Sequence, residues 1–501
     1  MLVCQGLPAT LTLIGVIVLI RNTAFNLAGM GAPLIVAVFT IPALIQQLGI
    51  EKFGILTLIW AVVSYLGLLD LGLGRTLTLQ VSISESRGDA AATARATSTA
   101  LWIMAGIGVL GGMVLAAFAR PVVDLLATVP DADEVVAATM AMACALPAIT
   151  LTSGFRGLIE ARHRFGMLNL IRIPLGVFTF VGPLAAIWIA GPRLDYIAWA
   201  LTAGRYAALL AHAIVAVQAL PGETRTLAFD RTLLRPLFIN GGWLTVSNIV
   251  SPLMGYADRF IIGGLVSASA VAYYATPYQL ATMLGIVPGA LSAVLFPTFA
   301  GQIGAHSAQS DKLFSASVSI LYLALLPVCA ALAIFSHEIL TVWINAAFAD
   351  QSALLLSIFA IGMFINCLAK IPFTLVQSAG RARVTAFIHL AEAAPFILVL
   401  WLATYYFSAT GAAVAWLVRV IIDTALLFWA AAWVVEVKWR SALPHAAVAV
   451  AIFSAVLFDS LWMRVAWYFI FLVAWALVGG ACIRSVIMSV SASGERIERC
   501  N

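Results

Sequence analysis

Residues 260–310 form a run of 51 positions without a single Asp, Glu, Lys or Arg. Shorter runs of the same kind cover 96–119, 135–155, 173–192, 236–257, 313–337 and 393–418. A helix on the surface of a soluble protein shows water a polar face with a period of about 3.6 residues. These runs have no charged face to show, so their solvent is lipid. A spanning helix needs about 20 mostly apolar residues, and each run supplies that or comes close. Composition agrees: 27 Lys and Arg and 22 Asp and Glu in 501 residues, 63% hydrophobic residues and a mean hydropathy of +1.05. Soluble domains carry about 25% charged residues. An ordinary soluble enzyme, a nucleic-acid binder and a disordered scaffold are thereby excluded. A membrane β-barrel is excluded too, because its strands alternate in polarity over about 10 residues. The fold class is an all-α integral membrane protein.

Gly, Pro and Ser clusters divide the runs into 14 expected spans: 23–48, 53–82, 96–119, 134–155, 167–189, 196–218, 241–266, 270–300, 314–337, 352–377, 385–407, 411–435, 443–458 and 464–484. Lys and Arg concentrate in cytoplasmic loops. With residue 22 inside, the inner segments carry 18 of them, Arg156, Arg162, Arg164 and Arg172 among them; the outer loops hold only Lys52, Arg120, Arg193 and Arg464. Both ends of the core are therefore expected in the cytoplasm. Residues 1–22 are an apolar N-terminal segment without a basic start or a clear cleavage site, which argues against a signal peptide. Extension of the first helix, an interfacial segment and an upstream start codon all stay open. The six cysteines form no CxxC pair and suggest neither a metal site nor a disulfide framework.

The helix spacing repeats. Expected starts at 23, 53, 96, 134, 167 and 196 recur at 241, 270, 314, 352, 385 and 411, offset by 215–218. Six helices per repeat place the second set on the same side as the first, so the repeats are parallel. The domains expected are an N-lobe at 23–218, a cytoplasmic linker at 219–240, a C-lobe at 241–436, accessory helices at 437–484 and a tail at 485–501. Two bundles around a midplane site are transporter architecture.

Nine charges remain inside the spans: Asp70, Arg75, Arg205, Asp258, Arg259, Lys370, Glu392, Arg419 and Asp423. A charge at the bilayer centre costs at least about 2.5–3.5 kcal/mol, so each should face a partner or a water-filled cavity. Arg205 is near the middle of its span, as a cavity cation or a buried ion-pair member. Thr245, Asn248, Pro252, Gly255 and Arg259 share one helix face, which either lines a cavity or packs through small residues. Arg419 and Asp423 are spaced to pair with each other. Lys370 and Glu392 either pair or line the cytoplasmic mouth. The substrate-binding candidates are Arg205, Arg259, Arg419, Asn248 and Lys370; the ion-coupling candidates are Asp70, Asp258, Asp423 and Glu392. Arginines suit phosphate because the guanidinium stays charged and binds bidentately. No Walker A motif, dinucleotide fingerprint, HExxH or hydrolase elbow is present, and no cofactor is implied.

Several local runs carry a resemblance. They are Pro42-Ala-Leu-Ile-Gln-Gln-Leu-Gly-Ile-Glu-Lys-Phe-Gly54, Tyr65-Leu-Gly-Leu-Leu-Asp-Leu-Gly-Leu-Gly-Arg75, Gly157-Leu-Ile-Glu-Ala-Arg-His-Arg-Phe165, Tyr256-Ala-Asp-Arg-Phe-Ile-Ile-Gly263, Tyr273-Tyr-Ala-Thr-Pro277, Leu295-Phe-Pro297 and Gly411-Ala-Ala-Val-Ala-Trp-Leu-Val-Arg419. From about residue 22 to 436 the chain resembles bacterial polysaccharide biosynthesis proteins of the O-antigen flippase type. These belong to the multidrug/oligosaccharidyl-lipid/polysaccharide flippase superfamily. The resemblance implies two six-helix lobes and movement of undecaprenyl-pyrophosphate-linked glycan across the bacterial inner membrane. Membrane lipids, a polysaccharide polymerase and glycosyltransferases are the implied partners. A multidrug/cation antiporter, a peptidoglycan lipid-precursor flippase and a membrane-embedded glycosyltransferase or polymerase are the rival readings. The expected orientation is testable: in a cysteine-free background, Ala228→Cys in the linker should resist an impermeant maleimide in intact cells, and ready labelling from outside would reverse the topology.

Overall fold

The computed structural model describes residues 31–66, 73–86, 88–126, 129, 131–162, 164–219, 229–234, 254–302, 307–435 and 443–476. The start of the first expected span, Asp70, Asn248, most of the 219–240 linker and the 485–501 tail lie outside the described residues. Among the described residues all regular structure is helical. The helices are α1 (Gly31–Leu48), α2 (Ile50–Leu66), α3 (Leu73–Ser86), α4 (Ala90–Ala117), α5 (Ala119–Asp124), α6 (Ala132–Ala161), α7 (Phe165–Ala190) and α8 (Leu194–Ala219). They continue as α9 (254–265), α10 (Ala268–Thr282), α11 (Ile286–Gln302), α12 (Ser307–Ile334), α13 (Ser336–Trp343), α14 (Ala346–Ser378), α15 (Ala382–Val435), α16 (Leu443–Phe453) and α17 (Leu461–Ala476). Eight of them are long and apolar enough to cross a membrane.

One of the eight, α15, is two spans. Its 54 residues leave helical geometry at Phe407 and Ser408, where Ser408 takes φ 52°. The chain folds back at that corner, because a Cβ on Gly411 would collide with the backbone carbonyl of Ala403. In a continuous helix those two positions would be about 12 Å apart. The expected spans 385–407 and 411–435 are the two arms.

The order of helices recurs. α4, α5, α6 and α7 start at 90, 119, 132 and 165, and α12, α13, α14 and α15 start at 307, 336, 346 and 382. The short helices α5 and α13 are part of the repeat and were invisible as sequence periodicity. Equivalent caps recur as well. The Asp131 side chain accepts from the Asp133 and Glu134 N–H groups at the start of α6, and Asn345 accepts from the Phe348 N–H at the start of α14. Each cap satisfies donors that a helix start leaves open.

The chain divides into two compact units, Met1–Ala272 and Tyr273–Asn501. The first has a core of Leu73, Leu77, Val81, Met104, Leu158 and Ile159. α3 crosses α6 where a Cβ on Gly157 would strike the Gly74 carbonyl, and the Thr78 hydroxyl donates to the Gly157 carbonyl at 2.9 Å. Gly74 and Gly157 both belong to the runs that carry the resemblance. α9 packs into the same unit, with Gly263 against Leu58, Leu126 and Val271. The second unit is centred on rings: Tyr274 meets Phe359 at 4.9 Å, and Trp416 meets Phe359 at 5.4 Å and Tyr278 at 5.6 Å. α17 docks on α12 through polar tips. The Tyr468 hydroxyl donates to the Pro327 carbonyl, Trp475 to Leu323, and Arg464 to both Ile334 and Glu338.

Glu134 clasps three helices of the first unit. Its carboxylate is 2.7 Å from Lys52 of α2 and accepts from the Leu194 backbone N–H at the start of α8. Lys52 also donates to the Pro192 carbonyl. Removing one member of a buried pair strands the other and costs about 3 kcal/mol. Lys52→Met, which strands the buried Glu134 carboxylate, should therefore lower the thermal unfolding temperature of the detergent-purified protein clearly more than Lys52→Met combined with Glu134→Gln, which leaves no buried charge unpaired.

Candidate functional site

The second unit holds a set of titratable groups on α14 and the two arms of α15, with Glu392 and Asp423 buried. His389, Glu392 and Phe396 are spaced 3 and 4 residues apart and share a face of the first arm. Arg419 and Asp423, 4 apart, share a face of the second. The corner at Ser408 brings these faces together. Arg419 Nε is 3.8 Å from Glu392 Oε2, and His389 Nε2 is 3.4 Å from Asp423 Oδ1. Phe396 receives the Arg419 guanidinium at 5.3 Å from its ring centre. Phe373 of α14 stacks on His389 at 5.9 Å and has the Lys370 ammonium 5.4 Å from its centre.

Each arm thus contributes one acid and one base, and the pairing crosses between arms. The expected pair within one helix, Arg419 with Asp423, is not formed. A partner on the other arm can approach along the normal to the helix surface, and the corner at Ser408 fixes that register. Lys370 is exposed and does not pair with Glu392; its cation rests on Phe373 instead. His389 was missed by sequence reading. Its signal is a lone His three residues before Glu392 in an apolar run, a pattern read more often as core packing than as chemistry.

The geometry is electrostatic rather than closely hydrogen-bonded. At 3.8 Å the Arg419–Glu392 contact exceeds hydrogen-bond length. Neither oxygen of Glu392 nor Oδ1 of Asp423 accepts a hydrogen bond from the protein. Buried carboxylates with open lone pairs are costly.

The first unit presents a different arrangement. Arg205 is the twelfth of 26 residues in α8, about 17 Å from its start by helical rise. That leaves it near the middle of the span, where a side chain cannot easily reach either interface. α8 is fastened to α6 on both sides of it: the Thr202 hydroxyl donates to the Ala141 carbonyl at 2.8 Å, and the Tyr206 hydroxyl to the Cys144 carbonyl at 3.0 Å. Arg205 is half-buried, and no carboxylate among the described residues pairs with it. On α9, Asp258 and Arg259 are both buried, with the Arg259 guanidinium 5.3 Å from the centre of the Tyr256 ring. The Asp258 side chain accepts from the Arg259 backbone N–H at 2.8 Å.

Comparison with known proteins decides the family. The family described as polysaccharide biosynthesis protein matches residues 19–302, more than half of the chain. The chain belongs to the polysaccharide biosynthesis protein family. Among its relatives, a Shigella flexneri protein described as an O-antigen transporter is 28% identical over 423 residues, spanning 82% of this chain and 97% of the relative. A Rhizobium meliloti (strain 1021) protein described as a lipid II flippase, MurJ, is 24% identical over 337 residues, 62% of this chain and 61% of that one. The fold is shared with solved structures at low identity. A lipid II flippase MurJ structure aligns with TM-score 0.73 and 11% identity, covering 93% of this chain and 99% of that one. An inward-facing MATE-family multidrug transporter of the MOP superfamily aligns with TM-score 0.68 and 13% identity, covering 85% and 95%. This family member is therefore an all-α, multi-pass membrane protein built on the transporter fold.

The crossed pairing in the second unit has a measurable signature. In a double-mutant cycle on thermal stability, Arg419→Met and Glu392→Gln should couple by about 1–3 kcal/mol, as contacting residues do. Arg419→Met and Asp423→Asn should couple less. Equal or reversed coupling would restore the pair within one helix.

Proposed function

We propose that this protein is a flippase that moves undecaprenyl-pyrophosphate-linked oligosaccharide units across the bacterial inner membrane for surface polysaccharide synthesis. It carries its substrate by alternating access and performs no covalent chemistry. Family membership and the Shigella relative support the substrate class. The observation that carries the reading is Arg205: a mid-span guanidinium without a carboxylate partner among the described residues. Such a group favours a ligand that brings its own negative charge, and a pyrophosphate offers paired oxygens to its planar fork. Arg259 would guide the same head. Arg419 is a weaker candidate than expected, because Glu392 already neutralises it.

The carboxylates of the second unit support a further element of this reading, coupling to a proton or cation. Glu392 and Asp423 have the open lone pairs that such coupling needs. The same feature favours the multidrug/cation antiporter as second reading, whereas the unpaired Arg205 opposes a cationic cargo. A peptidoglycan lipid-precursor flippase is the third reading and rests on the Rhizobium relative.

Arg205→Ala should remove a charge-assisted contact worth about 1.5–3 kcal/mol and strongly reduce surface polysaccharide in a deletion strain at normal protein level. Arg205→Lys should restore only part, because the ammonium keeps the charge and loses the fork. Full polymer output from Arg205→Ala would remove this arginine from headgroup binding. Drug resistance conferred in place of polymer would favour the antiporter.

A further inference from the structure

α7 and α8 are both apolar enough to span the membrane, yet they do not close on each other along their length. A cavity of about 540 Å³ opens between them, lined by Leu170, Pro174 and Phe178 of α7 and by Ala203, Gly204 and Ala207 of α8, with Ala211 continuing the same face. The helices meet closely at Gly204. A Cβ on Gly204 would come within 2.6 Å of the Phe178 ring, so Phe178 fills the notch and walls one end of the groove. Further along, alanines face leucine and proline, and the space of about 540 Å³ gives room for one hydrocarbon chain rather than two. No charged side chain lines it. At membrane depth such a space is filled by hydrocarbon, because no group there offers a hydrogen bond to anything else.

The end of the groove toward the start of α7 is basic. Arg164 caps α7 and lies seven residues before Ile171, another lining residue, which puts it on the same helix face about 10 Å away. Arg164 is exposed and has no carboxylate partner among the described residues; Arg172, two turns on, is exposed as well. An apolar groove with room for about one chain, ending near an Arg164 that has no carboxylate partner among the described residues, complements a lipid with one tail and an anionic head. A glycerophospholipid has two tails and fits one groove poorly. The small Ala side chains of α8 leave recesses that suit methyl branches.

We propose that the groove between α7 and α8 binds the isoprenoid chain of the lipid-linked substrate, with its phosphate-bearing head held at Arg164. This rests on the flippase reading and adds to it where the tail is kept while the head crosses. The groove is on one unit only, so the tail can remain seated during any movement of the head.

The test uses the full-length protein in phosphatidylethanolamine nanodiscs and a diazirine-bearing polyprenyl pyrophosphate as photoprobe, with mass spectrometry of the labelled peptides. Label should fall on the α7 and α8 lining. Unlabelled undecaprenyl pyrophosphate should displace it, and an equal amount of phosphatidylglycerol should not. Ala207→Trp and, independently, Ala211→Phe fill the groove and should each lower labelling at least tenfold. Arg164→Glu should lower labelling by the pyrophosphate probe and leave a polyprenol probe unaffected. Unchanged labelling in both filled variants would overturn the proposal. Equal displacement by phosphatidylglycerol would make the groove an ordinary lipid contact, and efficient disulfide formation between copies of Ala207→Cys would make it an interface between copies; either outcome sinks the idea. Surface polysaccharide in the deletion strain separates the two readings. If the wild-type chain and both filled variants restore polymer equally, the tail groove falls and the flippase reading stands. If labelling maps to the groove but the wild-type chain restores no polymer, the groove stands and the flippase reading falls.

Discussion

Hydrocarbon offers neither hydrogen bonds nor a screening dielectric, and every other feature of the structure follows from that solvent. Each backbone N–H and C=O at membrane depth must be satisfied within its own segment, which leaves helices as the solution for this chain. Each charge at that depth must find an opposite charge, a ring face or a wet cavity. Glu392 and Arg419, His389 and Asp423, and Lys370 over Phe373 are three such answers within one unit. Near the helix ends the same problem is solved by long side chains reaching toward backbone carbonyls, as Lys52 does at Pro192 and Arg464 at Ile334. Exposed Trp401, Tyr405 and Tyr406 beside the Ser408 corner of α15 and Trp429 and Trp433 toward the far end of its second arm match the aromatic belts of membrane interfaces.

The same solvent removes the usual reason for helices to associate. Lipid tails are as apolar as leucine, so close contact and interhelical hydrogen bonds hold the bundle together. Gly157 against the Gly74 carbonyl, with Thr78 donating across the joint, is the first unit's example. Gly411 at the α15 corner and Gly362 under the Trp416 ring serve the second unit. The short runs that carry the family resemblance include several of these contact points. Gly74, Gly157 and Gly411 in these runs stand at close backbone approaches that a side chain would obstruct.

The two units keep one helix order and use it differently. The first presents a half-buried Arg205 that pairs with no carboxylate among the described residues, and an apolar groove between α7 and α8. The second presents a buried network with carboxylate oxygens that no protein donor satisfies.

Absence of charge over long runs was enough to determine from sequence that the chain is helical and spans a membrane, and the ends of most spans were legible to within a few residues. The two arms of α15 were legible because Gly411 and its neighbours interrupt the apolar run. The recurrence of α4, α6 and α7 as α12, α14 and α15 was legible from spacing. Among the intramembrane charges, Asp258, Arg259, Glu392, Arg419 and Asp423 are buried or paired, Arg205 is half-buried, Lys370 is exposed, and Asp70 lies outside the described residues. Pairing was not legible. Spacing along one helix suggested Arg419 with Asp423, but partners across the Ser408 corner are nearer, and no one-dimensional pattern encodes the angle at which two arms meet. His389 was overlooked for the same reason: a histidine in an apolar run acquires meaning only when a second helix brings a carboxylate to it. The groove was equally hidden, since a void depends on how two apolar faces fail to fit, and the sequence of each face alone reads as ordinary membrane helix. Solvent sets the elements, and the distances between elements, which only tertiary packing decides, set the chemistry.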